Sequence, residues 1–344
     1  MTKVEAKRNR RRRKLFFAII MILFVGIVLT ASTYAWFTAN RSVTVEAIDV
    51  NVSTSEGLQI SVDAVNWKSI VTNADITGAS WQGVVNQLPA TTGNGATPSK
   101  PVSTVGAINS STGFMNMYLG KIETSDTDGD NILTAVADPE ANGTSGNYVA
   151  FDLFFRSSKQ QMIYLTSNSK VVAKDDSASD GIQNAARIAF INQGSVAYGA
   201  EPADARAKKD GNLVMVWEPN ADVHTEAGVN NAHDVYGLTT TVGPNAATLT
   251  YRGVKAPIAK TDEQKLKGDS TNNANFFGDI STTPTTKAGI PTTGYLQLLQ
   301  VAEGITKVRI YMWVEGQDVD CEDHASGGSI TYNLQFSIDD KQGA

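Results

Sequence analysis

Alternation of apolar and polar residues with a period of two constrains the fold of this chain more than any other feature. Long alternating runs lie at residues 48–52, 58–62, 149–155, 308–314 and 330–338. Successive side chains of a β-strand point to opposite faces of a sheet, so each run predicts a strand with one buried and one wet face. Shorter apolar runs predict further strands at residues 162–165, 213–217 and 295–301. Eight or more strands predict an all-β fold, a β-sandwich or jelly roll.

Local patterns add detail to this all-β prediction. The first two alternating runs flank a turn that ends at Gly57, which predicts a β-hairpin. Apolar residues within 182–190 recur at helical spacing behind a Ser- and Asp-containing segment, which predicts one short helix across an end of the sandwich. Residues 91–113 and 261–293 are rich in Thr, Ser, Asn and Gly, so we expect loops or insertions there.

The N-terminus has the pattern of an export signal. A positively charged run at residues 7–14 precedes an apolar stretch at 15–29, and such charge holds its flank in the cytoplasm. Small side chains at minus three and minus one predict signal-peptidase cleavage between Ala35 and Trp36, which makes the protein secreted and extracellular. The uncharged stretch continues to Phe37 and is long enough to cross ~30 Å of hydrocarbon as a helix. A retained membrane anchor is therefore the alternative.

These patterns predict three consecutive parts of the chain. Residues 1–35 form the signal peptide or anchor, residues 36–47 an N-terminal strand, and residues 48–344 the β domain. The β domain carries long insertions near residues 80–145 and 220–295. About 300 residues are enough to bury a substantial core without other support.

Charge and cysteine content exclude some classes of protein. Eight of the 29 Lys and Arg residues and one of the 35 Asp and Glu residues lie before residue 36, so the rest of the chain carries a net charge of about −13. A nucleic-acid surface would need a clustered basic face, so we expect no nucleic-acid partner. The lone Cys321 excludes an intrachain disulfide, and we expect it to be buried and inert.

The sequence lacks the common catalytic motifs, namely H-E-x-x-H, G-x-S-x-G, the Walker loop and the dinucleotide fingerprint. We therefore expect neither an enzyme nor a cofactor. His224 and His233 lie among acidic residues, where a solvated loop is the alternative to a metal site. A second acidic cluster runs from Glu315 to Asp323 and ends beside His324. It could form another metal site, and a charged loop tip between two strands is the alternative.

The best candidate for a metal site, with calcium as the ion, is a set of three carboxylates on alternate residues, Asp126, Asp128 and Asp130. Calcium prefers such hard oxygen ligands. The pattern is incomplete, because an EF-hand would place a bidentate Glu near position 137, where the chain has Ala137. An acidic turn around Gly129 without metal is the alternative.

Three segments resemble the TasA and camelysin family of exported bacterial proteins. The signal ends in Thr-Tyr-Ala at residues 33–35, and the segment Trp-Phe-Thr-Ala-Asn at 36–40 follows at once. Residues 148–158 are similar to that family's central strand, and residues 329–338 to its last core strand. The long insertions near 80–145 and 220–295 depart from the family pattern.

The resemblance implies a jelly-roll subunit that a Gram-positive bacterium secretes and assembles into extracellular fibres of a biofilm matrix. The N-terminal segment of one subunit would complete the sheet of the next, with Trp36, Phe37, Val43 and Val45 as polymerisation residues. A strand without a preceding turn can add to an open sheet edge. The alternative is that this segment is the first strand of its own sheet. Implied partners are further copies of the chain, other matrix or surface components, and signal peptidase.

Two other classes of protein remain as alternatives. A membrane-anchored cell-surface or adhesion protein requires only that the N-terminal segment stay attached. A metallopeptidase of the camelysin kind would require a metal centre, with His224 or His233 among its ligands.

Overall fold

A computed structural model describes part of the unit Trp36–Ala344. The described residues are 43–52, 57–78, 80–89, 100–139, 146–174, 181–221, 223–238, 249, 251–266, 273–280, 282–284, 295–322 and 327–338. The predicted export signal, the cleavage site after Ala35, and Trp36 and Phe37 lie outside them. Within the described ranges, the helices are too short or too polar to cross a membrane.

The fold is mostly β, as predicted. The strands are β1 Thr44–Val52, β2 Leu58–Ser61, β3 Ile70–Val71, β4 Asn86–Gln87, β5 Val102–Ser103, β6 Tyr118–Thr124, β7 Asn131–Ala137, β8 Val149–Ser157, β9 Gln161–Leu165, β10 Lys170–Ala173, β11 Ala186–Val196, β12 Asn212–Glu218, β13 Gly253–Val254, β14 Phe277–Gly278, β15 Thr282–Pro284, β16 Leu296–Val301, β17 Gly304–Val314 and β18 Ser329–Ser337. The helices are α1 Asn73–Gly78, α2 Pro202–Arg206 and α3 Glu226–Asp234, with short 3-10 helices at Ile182–Ala185 and Lys260–Asp262.

Two large sheets form the body of the described fold. One has the order β16-β9-β18-β1-β3, with β10 also paired to β18, and the other has the order β15-β12-β11-β17-β8-β2, with β4 also paired to β8. Their facing side chains share the main core, where the Phe155 and Phe336 rings meet edge to face with centroids 5.0 Å apart. Smaller sheets, β5-β6-β7 and β13-β14, lie in the predicted insertions.

The first strand, β1, runs parallel to the last strand, β18. Their register extends from Thr44 opposite Ser329 to Val52 opposite Phe336. The predicted hairpin between the first two alternating runs is wrong, because β2 pairs with β8 in the other large sheet. Both strands direct apolar side chains into the same core, so alternation does not reveal which sheet each joins.

The predicted helix at residues 182–190 is also largely wrong. Only Ile182–Ala185 is helical, and it is a 3-10 turn that leads directly into β11. β11 is a central strand that pairs with β12 on one side and with β17 on the other. Both of its faces are buried over Ala186–Ile191, so nearly every position there is apolar and a helical spacing arises by coincidence.

The expectation of a wet sheet face holds for β18 but fails for β8 and β17. β18 alternates between buried and partly exposed residues, whereas every residue of β17 is buried. A second core covers the other face of the seven-stranded sheet, where Met115 and Met117 from the insertion pack near Tyr311 and Trp313. The insertion near residues 80–145 thus contributes a layer of the fold.

Candidate functional site

The N-terminal strand β1 is the predicted site of polymerisation. Val43 and Val45, two of the predicted polymerisation residues, are 1% and 6% exposed and belong to the main core of their own chain. The described strand begins before the predicted domain boundary at residue 48 and continues across it. In this structure, β1 is therefore the first strand of its own sheet.

The outer edge of β1 is only partly covered by described residues. β3 pairs with β1 at Val50 and Asn51 alone, and the Asn73 side chain accepts a 3.0 Å hydrogen bond from the Ile48 amide. Among the described residues, no strand pairs with the N-terminal half of β1 on this side. Within the part of the chain that the structure describes, this half of β1 is therefore a sheet edge, apart from the hydrogen bond of the Ile48 amide.

An open cleft of ≈ 640 Å³ is lined by residues of β2, of the segment 67–70 and of the end of β8. Arg156 on β8 stands at its centre, with the guanidinium carbon 4.3 Å from the Trp67 ring centroid and 5.8 Å from the Tyr198 ring centroid. The Arg156 Nε donates a 3.0 Å hydrogen bond to Oε1 of Gln59 on the neighbouring strand β2. The Nη2 group donates to the same oxygen. Ile70 on β3 is 56% exposed at the rim.

A buried cluster of charged residues lies at one end of β11. The Arg187 side chain is fully buried, and its Nη2 group lies 2.5 Å from Glu218 Oε1 and 2.5 Å from Asp318 Oδ2. It also donates to the Tyr251 hydroxyl, while Nη1 donates to the carbonyl of Asn184 at 2.9 Å. A buried guanidinium requires such carboxylate partners because leaving water is costly for a charge.

His224 joins the same cluster through Asp320. Its Nδ1 lies 2.8 Å from Asp320 Oδ2, and the side chain is 3% exposed. The other Asp320 oxygen, Oδ1, accepts hydrogen bonds from the amide and the hydroxyl of Thr225, at 2.9 Å and 2.7 Å. The side-chain Nδ2 group of Asn184 donates to Oδ2 at 3.0 Å. A Cβ at Gly228 in α3 would lie 2.6 Å from Oδ1, so this close approach needs glycine.

The environment shifts the pKa of several groups in this cluster. Burial lowers the pKa of His224, but the hydrogen bond to Asp320 and the charge of Asp318 outweigh it and raise the pKa to about 9. Burial opposes ionisation of Asp318, yet the charges of Arg187 and His224 lower its pKa. Burial raises the pKa of Glu315. At neutral pH, the cluster thus holds a protonated imidazole between carboxylates.

Within the described residues, His224, Asp318 and Asp320 are the group whose potential metal-ligand atoms converge, within 4.8 Å of one another. The protonated imidazole and the four hydrogen bonds to Asp320 account for this convergence without an ion. The arrangement favours an ion-pair network that fixes the 315–322 loop and the start of α3. Glu315 is also buried, so the alternative of a charged loop tip is wrong for Glu315 and both aspartates.

A second buried charge group links β8 and β17. Asp152 Oδ1 accepts a 2.8 Å hydrogen bond from Arg309 Nε, and Oδ2 lies 3.2 Å from Lys307 Nζ. The Lys307 ammonium also donates to the carbonyls of Gly83 and Arg206, each at 2.7 Å. The group holds α2 and the segment around Gly83 against the sheet.

The predicted calcium residues lie in the turn between β6 and β7. Asp126 pairs with Lys260, and Asp128 Oδ1 accepts a 3.1 Å hydrogen bond from the amide of Asp130. Their carboxylates do not form a convergent group of the kind found at His224. Calcium binding at this turn remains a prediction.

The remaining predicted residues are dispersed. His233 lies in the last turn of α3, so the structure does not place it with His224 in the metal-ligand group. Asp323 and His324 lie outside the described residues. Cys321 is buried, as expected.

Comparison with protein-family models, curated proteins and solved structures finds no match to this chain. Its function is therefore argued from its own residues and their arrangement.

Sequence reasoning missed the residues at the centre of each polar group. Arg187, Asp152 and Arg309 each interrupt an otherwise apolar run, and that interruption was the available signal. A charged residue at such a position is buried with a partner or faces water, and only the covering insertion decides between the two. The cleft residues Trp67 and Tyr198 carried no sequence pattern at all.

Proposed function

We propose that this chain is a secreted structural subunit with a jelly-roll-like β domain that assembles into extracellular fibres by exchanging β1 between neighbouring subunits. The observation that carries the proposal is the position of β1. It is the first described strand, it pairs with β18 over most of its length, and it buries Val45, Ile48 and Val50 in the main core, as does Val43 just before it. After Val52 the chain leaves β1 for β2, which belongs to the other large sheet.

Exchange of such a strand changes few contacts. A β1 strand from a neighbour would make the same hydrogen bonds with β18 and fill the same apolar sites. The chain between β1 and β2 must then connect the strand in one subunit to the domain of another. High local concentration of secreted subunits would then favour the exchanged, polymeric state.

Other features of the chain support export and self-association. The charged and apolar N-terminal pattern is that of an export signal, with signal peptidase as the processing partner. A net charge of about −13 after residue 35 suits solubility outside the cell and disfavours a nucleic-acid partner. The resemblance to TasA and camelysin proteins also supports secretion and assembly into fibres.

The test uses a cysteine pair across β1 and β18. Asp49 on β1 lies opposite Asn333 on β18, and both have solvent-accessible side chains, whereas native Cys321 is buried. We would secrete the Asp49→Cys, Asn333→Cys variant, let it assemble, oxidise it and run it on a denaturing gel without reductant. Directly opposed strand positions are within reach of a disulfide. We expect uniform filaments by electron microscopy and a covalent ladder on the gel.

The outcomes separate the parts of the proposal. Filaments whose chains run only as internally linked monomers would rule out exchange of β1 but keep the fibre. Absence of filaments at any concentration would refute the structural role. The single variants Asp49→Cys and Asn333→Cys, which lack an engineered partner, are the matched controls.

A membrane-anchored surface protein is the second candidate, favoured by the uncharged stretch that continues to Phe37. N-terminal sequencing of protein from culture supernatant distinguishes the two. A mature terminus at Trp36 supports secretion, whereas protein found only in membranes with an intact N-terminus supports the anchor.

A further inference from the structure

We propose that the cleft around Arg156 is a binding site for an acidic saccharide, that is, a sugar chain bearing carboxylates. The inference does not depend on polymerisation through β1. The lining consists of Gly57, Leu58, Gln59, Trp67, Lys68, Ser69, Ile70, Arg156, Ser158 and Tyr198. It contains no carboxylate and two cationic side chains, of which Lys68 pairs with Asp75 outside the lining while Arg156 has no carboxylate partner among the described residues. The cleft thus presents one guanidinium without a carboxylate partner, in a chain where 35 acidic residues outnumber 29 basic ones.

Arg156 is the anchor for the anion. Its Nε and Nη2 groups converge on one neutral oxygen of Gln59, and no carboxylate among the described residues pairs with it. The buried arginines Arg187 and Arg309 each have carboxylate partners. A guanidinium fork binds a carboxylate through two parallel hydrogen bonds, which gives both affinity and orientation.

The aromatic residues hold the guanidinium in place and offer apolar faces beside it. Trp67 is packed partly against the main core and contacts Arg156 from one side, which limits the rotamers that the arginine can adopt. Tyr198 is 51% exposed at the mouth of the cleft. Exposed aromatic faces pack against the C–H face of a sugar ring, while hydroxyl groups on the rim satisfy its polar edge.

The rim supplies those polar groups. Ser69, Ser158 and the Gln59 amide lie in the lining. Within the described residues, the side-chain hydroxyls of Ser158 and Tyr198 have no hydrogen-bond partner in the protein. Mixed aromatic, amide and hydroxyl lining favours a saccharide over an apolar protein segment, which would require a drier groove.

The test measures binding of three probes to the full chain in detergent micelles by calorimetry. The probes are an oligogalacturonate, the same oligosaccharide with its carboxylates methyl-esterified, and poly-glutamate of matched charge. We expect binding of the oligogalacturonate, at least tenfold weaker binding of the ester, and little binding of poly-glutamate. Affinity for the oligogalacturonate should fall as salt is raised, because the charge contact is exposed.

Variants assign the binding to the cleft. Arg156→Gln should weaken oligogalacturonate binding by about tenfold or more, as loss of a charge-assisted hydrogen bond does. Tyr198→Ala, at an exposed position, gives a second variant that should fold normally and bind weakly. Arg206→Gln is the matched control, because Arg206 also lies over an aromatic ring, Trp81 at 4.9 Å, but outside the cleft.

Several results would overturn the inference. Equal binding of the oligogalacturonate and its ester would remove the role of the anion, and equal binding of poly-glutamate would point to an acidic peptide. Unchanged affinity in both Arg156→Gln and Tyr198→Ala would place the site elsewhere. Loss of self-association in Arg156→Gln, measured by sedimentation without change in sugar binding, would make the cleft a contact between copies of the chain.

Discussion

Arg187, His224 and Asp152 carry charge at positions from which water is excluded. Each is held by partners from distant parts of the chain, as when His224 meets Asp320 across 96 residues. Removing one partner of such a pair leaves a buried charge uncompensated, which destabilises more than the pair itself contributes. These charged groups therefore hold the loops that carry their partners against the two large sheets.

The raised pKa of His224 makes the stability of the protein depend on pH. The folded state holds the imidazole proton up to about pH 9, whereas the unfolded chain releases it near the ordinary histidine pKa of 6.5. The stabilisation is complete below pH ~6.5 and is lost as the pH rises through about 9. We expect a loss on the order of 3 kcal/mol in the free energy of unfolding across this window, measured by denaturant titration.

The His224→Gln variant should be less stable at pH 6 and should lose the slope between pH 6.5 and 9. His233→Gln, in the last turn of α3, should retain the wild-type slope. If His224→Gln and the wild type show the same slope, the proton is not bound where the structure places it.

At the scale of elements, β18 is the strand that most closely follows its sequence pattern. Ile330, Tyr332, Leu334 and Phe336 are fully buried, while the alternate residues remain partly exposed. It pairs with β1 on one side and with β9 and β10 on the other, so it organises the six-stranded sheet.

Replacing Leu334 tests this burial. Leu334→Ala should lower the free energy of unfolding by ~2–5 kcal/mol, because it removes transfer energy and leaves a cavity in the core. Thr331→Ala, on the partly exposed face, should cost little. Gln335 is not a suitable control, since its side chain accepts hydrogen bonds from Thr166 and Asn168. Equal losses for Leu334→Ala and Thr331→Ala in denaturant melts would contradict the assignment of faces.

The strand β1 provides a second test at this scale. A chain that begins at residue 53 lacks β1 and opens the main core, so it should melt at a lower temperature. A synthetic peptide of residues 41–52 should bind in its place and raise the melting temperature. The matched peptide with Ile48→Asp places a charge at a fully buried position and should fail. If the two peptides change the melting temperature equally, the peptide does not occupy the site of β1, and another molecule cannot supply the strand.

At the scale of the described fold, the seven-stranded sheet lies between two cores. The main core covers one face, and the second core, which includes Ile191 and Trp313, covers the other. The strands β5, β6 and β7 belong to an insertion whose composition predicted loops for part of its length. Burial on both faces explains why the central strands are continuously apolar.

A substitution in the second core should therefore destabilise the domain as one in the main core does. Ile191→Ala should cost ~2–5 kcal/mol, since Ile191 is fully buried. Val136→Ala on β7, where the side chain is 60% exposed, is the matched control and should cost little. A wild-type melting curve for Ile191→Ala would show that the insertion does not form a packed layer.

The sequence by itself determined that this is a mostly β protein, and it placed the strands β1, β2, β8, β9, β12, β16, β17 and β18, because alternation and apolar runs are local consequences of strand geometry. It could not determine that β1 joins β18, that residues 186–190 are a strand, or that Arg187 and His224 share one buried cluster. Those outcomes depend on contacts between segments that are far apart in the chain. Such contacts leave no pattern in the local sequence of either segment. Only the tertiary structure shows that the insertion buries the second face of the seven-stranded sheet. Because that face is buried, polar residues on its central strands, such as Asp152 and Arg309, pair with one another.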